Sequence, residues 1–227
     1  MGEIKVIELD EANVATNDQE AAKLRRELNS MGVFMINVMG APGSGKTEVL
    51  AQTVPRLEGA FHVGCMCTDL DTTLDAERVA EVCDHVVQFH TGGMWPYVSA
   101  EGSRMGLMEL ISEDVNVVLL ENLGVLISAA AWDTGASMNV VVVSAAGGVY
   151  TPLKYSYMFT LADVVLINKS DLADAAGFDF AKCMSNIRRI NTSAQIFTIS
   201  GKTGDGMDAW AKWLKDWIHL RAGRGRA

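Results

Sequence analysis

Apolar runs of strand length recur along the chain: Val33 to Met39, Phe61 to Cys67, Val86 to Phe89, Val115 to Leu120, Asn139 to Val143, Val164 to Ile167 and Ile196 to Ile199. Segments of helical spacing separate them, and that alternation predicts an α/β fold. Val140-Val141-Val142-Val143 and Val164-Val165-Leu166-Ile167 are apolar at every position and largely β-branched, which predicts parallel strands covered by helices on both faces. The expectation is therefore a three-layer domain with a mostly parallel seven-stranded sheet. Ahead of the first run, Asn17 to Asn29 reads as a helix with Asn17 or Asp18 as its N-cap. Near the end, Met207, Trp210, Trp213, Leu214 and Trp217 fall on one face of a helix and predict a core-facing stripe. The chain divides into an N-terminal extension and helix at 1–30, the α/β domain at 31–220, and a basic tail at 221–227 carrying Arg221, Arg224 and Arg226.

At 227 residues and 49% apolar composition, the chain can bury the core of one such domain. Its 19 basic and 28 acidic residues leave a net charge of −9, which argues against nucleic acid or an anionic membrane as a partner. No apolar run approaches the roughly 20 residues that span a bilayer, and the polar start through Asp10 and Glu11 does not read as a signal peptide. A cytoplasmic location is the expectation. Cys65, Cys67, Cys83 and Cys183 are too sparse for a disulfide framework and suit buried free thiols.

Chemistry enters at Gly40-Ala41-Pro42-Gly43-Ser44-Gly45-Lys46-Thr47, a GxxxxGK[ST] sequence placed directly after the first apolar run. Gly40, Gly43 and Gly45 let the backbone turn so that consecutive N–H groups and the next helix N-terminus face phosphates. Ser44 lies within this cradle, Lys46 would reach the β- and γ-phosphates, and the Thr47 hydroxyl can ligate Mg²⁺. The fold expected is thus a P-loop NTPase. Two predicted strands end in carboxylates at the edge of the sheet where such an ion would sit, one running into Asp69 and the other into Glu121. Thr47, Asp69 and Glu121 are the Mg²⁺ candidates; Asp75 is a candidate for organising the switch or the attacking water. Asp71 serves equally well as a helix cap.

Asn168-Lys169-Ser170-Asp171 ends another strand as an NKxD sequence. A carboxylate at Asp171 can accept from both guanine N1–H and the 2-amino group, whereas adenine has neither donor, so this loop predicts GTP over ATP. Asn168 can tie the loop to the phosphate loop, and the stem of Lys169 can cover the purine. One strand later, Ser200, Gly201 and Lys202 begin a Gly-rich loop that would close over the base from its other side.

With these segments placed, the chain resembles the HypB hydrogenase maturation factors, GTPases of the SIMIBI class that help deliver nickel. The likeness rests on Asp75-Ala76-Glu77-Arg78 with Asp69, Glu121-Asn122-Leu123-Gly124, Pro152-Leu153-Lys154-Tyr155 and Ser200 to Met207, all in the family's order. The resemblance implies a GTP-dependent homodimer with the nucleotide near its interface, and a client metalloenzyme or accessory protein. Lys154 suits either a reach toward the partner's nucleotide or a plain surface position. The chain departs from the family where Trp95-Pro96 stands in place of a Cys-His pair, and Ser128 in place of a further Cys. Tryptophan and proline cannot replace thiolate and imidazole, so the interfacial nickel or zinc site is not expected. A substitute Cys/His cluster from Cys65, Cys67, Cys83, His85 and His90 competes with buried thiols and ordinary histidines. Trp95-Pro96-Tyr97 and Trp132 suit either a docking surface or packing.

The expected activity is Mg²⁺-dependent GTP hydrolysis, with Lys46, Asp69, Asp75 and Glu121 as the catalytic group and GTP/GDP as ligands. Its use is that of a nucleotide-gated maturation factor. The alternative is a GTP-dependent chaperone of a cofactor-carrying enzyme with no metal transfer; a small-molecule kinase would have no need of NKxD.

Overall fold

The computed structural model describes residues 5–8, 14–92, 97–111, 114–125 and 128–224. In chain order these form β1 (Lys5–Glu8), α1 (Val14–Met31), β2 (Phe34–Gly40), α2 (Lys46–Leu57), β3 (Val63–Asp69), α3 (Leu74–Ala80), β4 (Val86–His90), α4 (Ala100–Ile111) and β5 (Val117–Glu121). The second half adds α5 (Ser128–Ala131), β6 (Met138–Ser144), α6 (Thr151–Lys154), α7 (Ser156–Thr160), β7 (Val164–Asn168), α8 (Ala173–Ala176), α9 (Phe180–Ile190), β8 (Gln195–Thr198) and α10 (Met207–Arg224).

The sheet order is β1-β4-β3-β5-β2-β6-β7-β8, with every neighbouring pair parallel. All seven predicted strands are present. An eighth, β1, adds at the edge through a register of Lys5 opposite Val87.

Strand alternation splits the core into layers. Ile36, Val38, Leu119 and Leu166 face one side, where Val49, Val54, Val79, Met207, Trp210 and Leu214 cover them from α2, α3 and α10. On the other side, α1 and α4 pack Leu24, Leu28 and Leu107 on Met35, Met66 and Val118. Further along that face, Met158, Phe159, Cys183 and Ile187 cover Val141, Val165 and Ile167. The tryptophan stripe packs as expected: Trp210 is buried, with Trp213 and Trp217 half-buried against the same core.

Two local expectations change. Helix α1 starts at Val14, ahead of Asn17, so Asn17 is inside the helix and buried rather than capping it. Its amide instead clips two distant segments, donating to Asp133 O at 2.9 Å and accepting from Ala100 N at 2.8 Å. At the other end α10 runs on through Arg224, and the Arg221 guanidinium lies 4.2 Å from the centre of the Trp217 ring; Arg226 lies outside the described residues. All four cysteines are free and buried. Among the described residues no helix is long and apolar enough to cross a membrane.

Candidate functional site

The phosphate loop leaves β2 at Gly40, whose missing side chain is required by packing: a Cβ there would stand 2.4 Å from Val142 O. At Gly45, φ is 91° and a Cβ would meet Asn168 Nδ2 at 2.5 Å, so both conformation and space demand glycine. Helix α2 begins at the next residue. Lys46 is buried and donates to Gly40 O at 3.2 Å, folding its ammonium back over the loop. Burial pulls its pKa below the usual lysine value, and the carboxylates of Glu121 and Asp75 partly oppose that.

Thr47, one residue on, has its hydroxyl between two acids, at 2.9 Å from Asp75 Oδ1 and 2.8 Å from Glu121 Oε1. One hydroxyl proton cannot serve both oxygens at once. Glu121 Oε2 is buried without a hydrogen-bond partner. Desolvation first, then repulsion from Asp75, pushes Glu121 up to about 7 against the opposing pull of Lys46 and Thr47. Asp69 bonds within its own loop. Its Oδ1 accepts from the backbone N–H groups of Asp71 and Thr72 at 3.1 and 3.2 Å, which pins the turn between β3 and α3. Asp71 is exposed in that turn, and the residue before α3 is Thr73, whose hydroxyl donates to Glu77 at 2.6 Å.

This donor set fits a magnesium ion. The ligands are all oxygens, one carboxylate oxygen has no other partner, and two acids crowd one hydroxyl. Among the described residues no group of three or more His, Cys, Asp or Glu side chains is arranged to hold a metal. Mg²⁺ does not require one, because it keeps waters and shares phosphate oxygens. Cys65 and Cys67 point to one face, as strand alternation requires, and lie with Cys83 in the apolar core beneath α2 and α3. Burial pushes the Cys67 thiol well up.

The base-side loops are joined to the phosphate loop. Asn168 Nδ2 donates to Ser44 O at 2.9 Å while its Oδ1 accepts from Gly201 N at 2.9 Å. Lys169 has φ 62°, a conformation uncommon outside glycine, and its Cε lies near Gly45. The stem of Lys169 thereby lies across the loop. Ser200 Oγ donates to Asp171 Oδ1 at 2.6 Å, fixing that carboxylate. Thr203 N donates to Ser200 Oγ in turn at 3.1 Å, and Lys202 is exposed in the same loop. Gly43 and Ser44 also line a cavity of about 420 Å³, together with Lys154, Tyr155, Met158 and Lys169.

Tyr97 is buried and stacks on Trp132 at 3.9 Å between ring centres, which assigns both rings to packing. Trp95 and Pro96 lie outside the described residues, as does the side chain of Ser128. Two contacts had no reading in the sequence. Arg78 pairs with Glu48 at 3.1 Å and with Glu81, tying α3 to α2. Asn37 and Asn122, both buried, and the half-buried Asn139 form an amide chain, and the visible clue is an asparagine amid the apolar residues of β2.

The model of the CobW/HypB/UreG nucleotide-binding domain matches residues 34–198. The hydrogenase maturation factor HypB of Rhizobium leguminosarum bv. viciae is 34% identical over 226 residues, covering 100% of this chain and 75% of its own. Among solved structures, HypB from Archaeoglobus fulgidus superposes with a TM-score of 0.80 at 31% identity, covering 90% of this chain and 99% of that one. HypB from Helicobacter pylori, solved in complex with nickel, gives 0.84 at 26%, covering 91% and 97%. The family match begins at the first residue of β2 and ends at the last of β8, and so takes in the phosphate loop, Glu121 and the Asn168 loop: the chain belongs to the CobW/HypB/UreG family, among the HypB proteins.

Proposed function

We propose that this chain is a GTP-hydrolysing maturation factor whose nucleotide state gates its action on a metalloenzyme of the hydrogenase kind. The observation that carries the reading is the Asn168 bridge, which builds the phosphate loop and the base loops into one hydrogen-bonded frame. Such a frame suits a guanine nucleotide held at both ends.

In this reading the N–H groups of residues 43 to 47 and the Lys46 ammonium hold the β- and γ-phosphates. Asp171 Oδ2 accepts from the guanine edge, the Lys169 stem covers one face of the base, and the loop from Ser200 to Lys202 closes the other. Thr47 and Glu121 would hold Mg²⁺, with Asp69 and Asp75 near it through water; when bound, the ion would neutralise charge growing on the phosphate oxygens. Asp75, at the start of α3, is placed to orient an attacking water. Intrinsic turnover is slow in this reading. Arg78, the arginine of the Asp75-Ala76-Glu77-Arg78 stretch, pairs with Glu48 and Glu81 in the nucleotide-free protein. The γ-phosphate then engages the switch segments around 69–75 and 121–124, and its loss breaks those contacts. Action as a GTP-dependent homodimer in the cytoplasm completes the proposal.

A GTP/ATP competition titration tests the reading. GTP should win, the Asp171→Ala variant should lose the preference, and Lys46→Ala should abolish hydrolysis; equal binding of ATP by the unaltered protein would overturn it. A second reading, a docking chaperone without metal transfer, is favoured by Trp95-Pro96 and Ser128 replacing soft ligands. Equilibrium dialysis of nickel, cobalt and zinc against the protein loaded with a non-hydrolysable GTP analogue separates the two. Stoichiometric binding supports delivery, and its absence supports docking alone.

A further inference from the structure

The segment that follows Glu121 is anchored on the face of the sheet opposite to the phosphate site. Glu121 ends β5 pointing toward Thr47, so the next residue, Asn122, points through to the other side. There Asn122 is 1% exposed, and Asn37, at the centre of the sheet between β5 and β6, is 2% exposed. Leu123 N donates to Asn122 Oδ1 at 2.9 Å, Asn122 Nδ2 donates to Asn37 Oδ1 at 3.1 Å, and Asn37 Nδ2 donates to Asn139 Oδ1 at 2.9 Å.

The orientation of all three amides follows from one end. The Leu123 backbone group can only donate, so Asn122 must present its oxygen, and each next amide is forced in the same sense. Reversing Asn122 or Asn37 would set two donors or two acceptors face to face in a buried site, costing about 1 to 3 kcal/mol for the group left unpaired. The far end of the chain reaches a cavity of about 490 Å³ that Asn37 and Asn139 line together with Arg25, Asp133 and Tyr157.

What the chain holds is the backbone N–H of Leu123, and Gly124 is the next residue. Gly124 packs directly on the phosphate loop, since a Cβ there would meet Pro42 Cγ at 3.0 Å and Pro42 N at 3.1 Å. A backbone N–H in that position can report whether a γ-phosphate is present, provided its place is set beforehand. We infer that Asn37 and Asn122 are positioning residues that set the Leu123-Gly124 backbone against the phosphate loop, so that the protein distinguishes a nucleoside triphosphate from a diphosphate. The inference rests on the GTPase reading above. It adds that discrimination of the terminal phosphate depends on an amide chain that touches no part of the nucleotide.

The test measures affinities for GDP and for a non-hydrolysable GTP analogue in the full chain and in its Asn37→Leu and Asn139→Ala variants. Asn37→Leu keeps an apolar filling of similar volume and removes the chain. It should weaken analogue binding about tenfold while leaving GDP within about twofold, the size expected from one buried hydrogen-bonded group. Asn139→Ala, at the half-buried end, should shift the same ratio in the same direction by about threefold and keeps the inference testable if Asn37→Leu does not fold. Equal losses for both nucleotides, or an unchanged ratio in a folded variant, overturn it, because a purely structural role weakens both ligands together. If the unaltered protein binds neither guanine nucleotide, the GTPase reading fails first. The inference fails alone when the unaltered protein discriminates and the variants discriminate equally.

Discussion

Glu121 combines a buried carboxylate, a neighbouring acid and an oxygen with no hydrogen-bond partner. Its native pKa near 7 stands above the ordinary 4.5, so between those values the folded protein binds the extra proton and the unfolded chain does not. Stability from this group is therefore present below pH 4.5 and lost as pH rises to about 7, by on the order of 3 kcal/mol in the metal-free and nucleotide-free protein. Denaturant melts of the protein and of Glu121→Gln at several pH values should diverge in that direction; parallel curves would contradict it. Gly45 supports a second prediction. Gly45→Ala places a methyl group 2.5 Å from Asn168 Nδ2 at a φ that side chains avoid, with a conformational cost of about 1 to 2 kcal/mol. Isothermal titration should show nucleotide affinity falling by at least tenfold, with the melting temperature dropping only a few degrees. At this scale much of the site was legible: Lys46, Thr47, Glu121, Asn168 and Asp171 were each identifiable from residue type, spacing and position after a strand. The direct partners of Asp69 and Asp171 were not, because a carboxylate at a strand end looks the same whether it meets a turn, a serine or a metal.

Among the elements, the long, continuously apolar strands were the most readable, because burial on both faces leaves no polar alternation to confuse the reading. Strand β1 escaped detection. Lys5-Val6-Ile7-Glu8 has only four residues and is defined by its pairing with β4 rather than by its own pattern. The short helices α6, α7 and α8 are one turn or little more, too brief for a helical period to register. Helix α10 carries the clearest prediction here. Trp210 is 2% exposed and its Nε1 donates to Thr53 Oγ1 at 3.1 Å, while Thr53 keeps its own bond to Val49 O. Trp210→Phe preserves most of the apolar contact and should cost about 1 to 2 kcal/mol, whereas Trp210→Ala should cost about 3 to 5. Chemical denaturation would reveal both, and similar losses would mean that the indole N–H matters more than its volume.

For the molecule as a whole, the all-parallel order places the carboxyl ends of β2, β3, β5, β6 and β7 along one edge, and the candidate site lies where loops from these strands meet. That arrangement could be anticipated from the alternation of apolar runs and helical segments, though the strand order could not, since it depends on which runs pair across the chain. If GTP gates assembly, light scattering should show a higher mass with a non-hydrolysable GTP analogue than with GDP, and the same mass in both states would argue against gating by dimerisation. The Asn168 bridge has a consequence of another kind. It joins Ser44 to a residue 124 positions later and then to Gly201, 33 positions further on. During synthesis the phosphate loop leaves the ribosome long before its two fastening points exist, so a nascent chain stopped short of Gly201 has no finished nucleotide site. In the GTPase reading, guanine nucleotide is thus a ligand only of a chain made past Gly201, and its capture doubles as a check that the two halves of the sheet have come together.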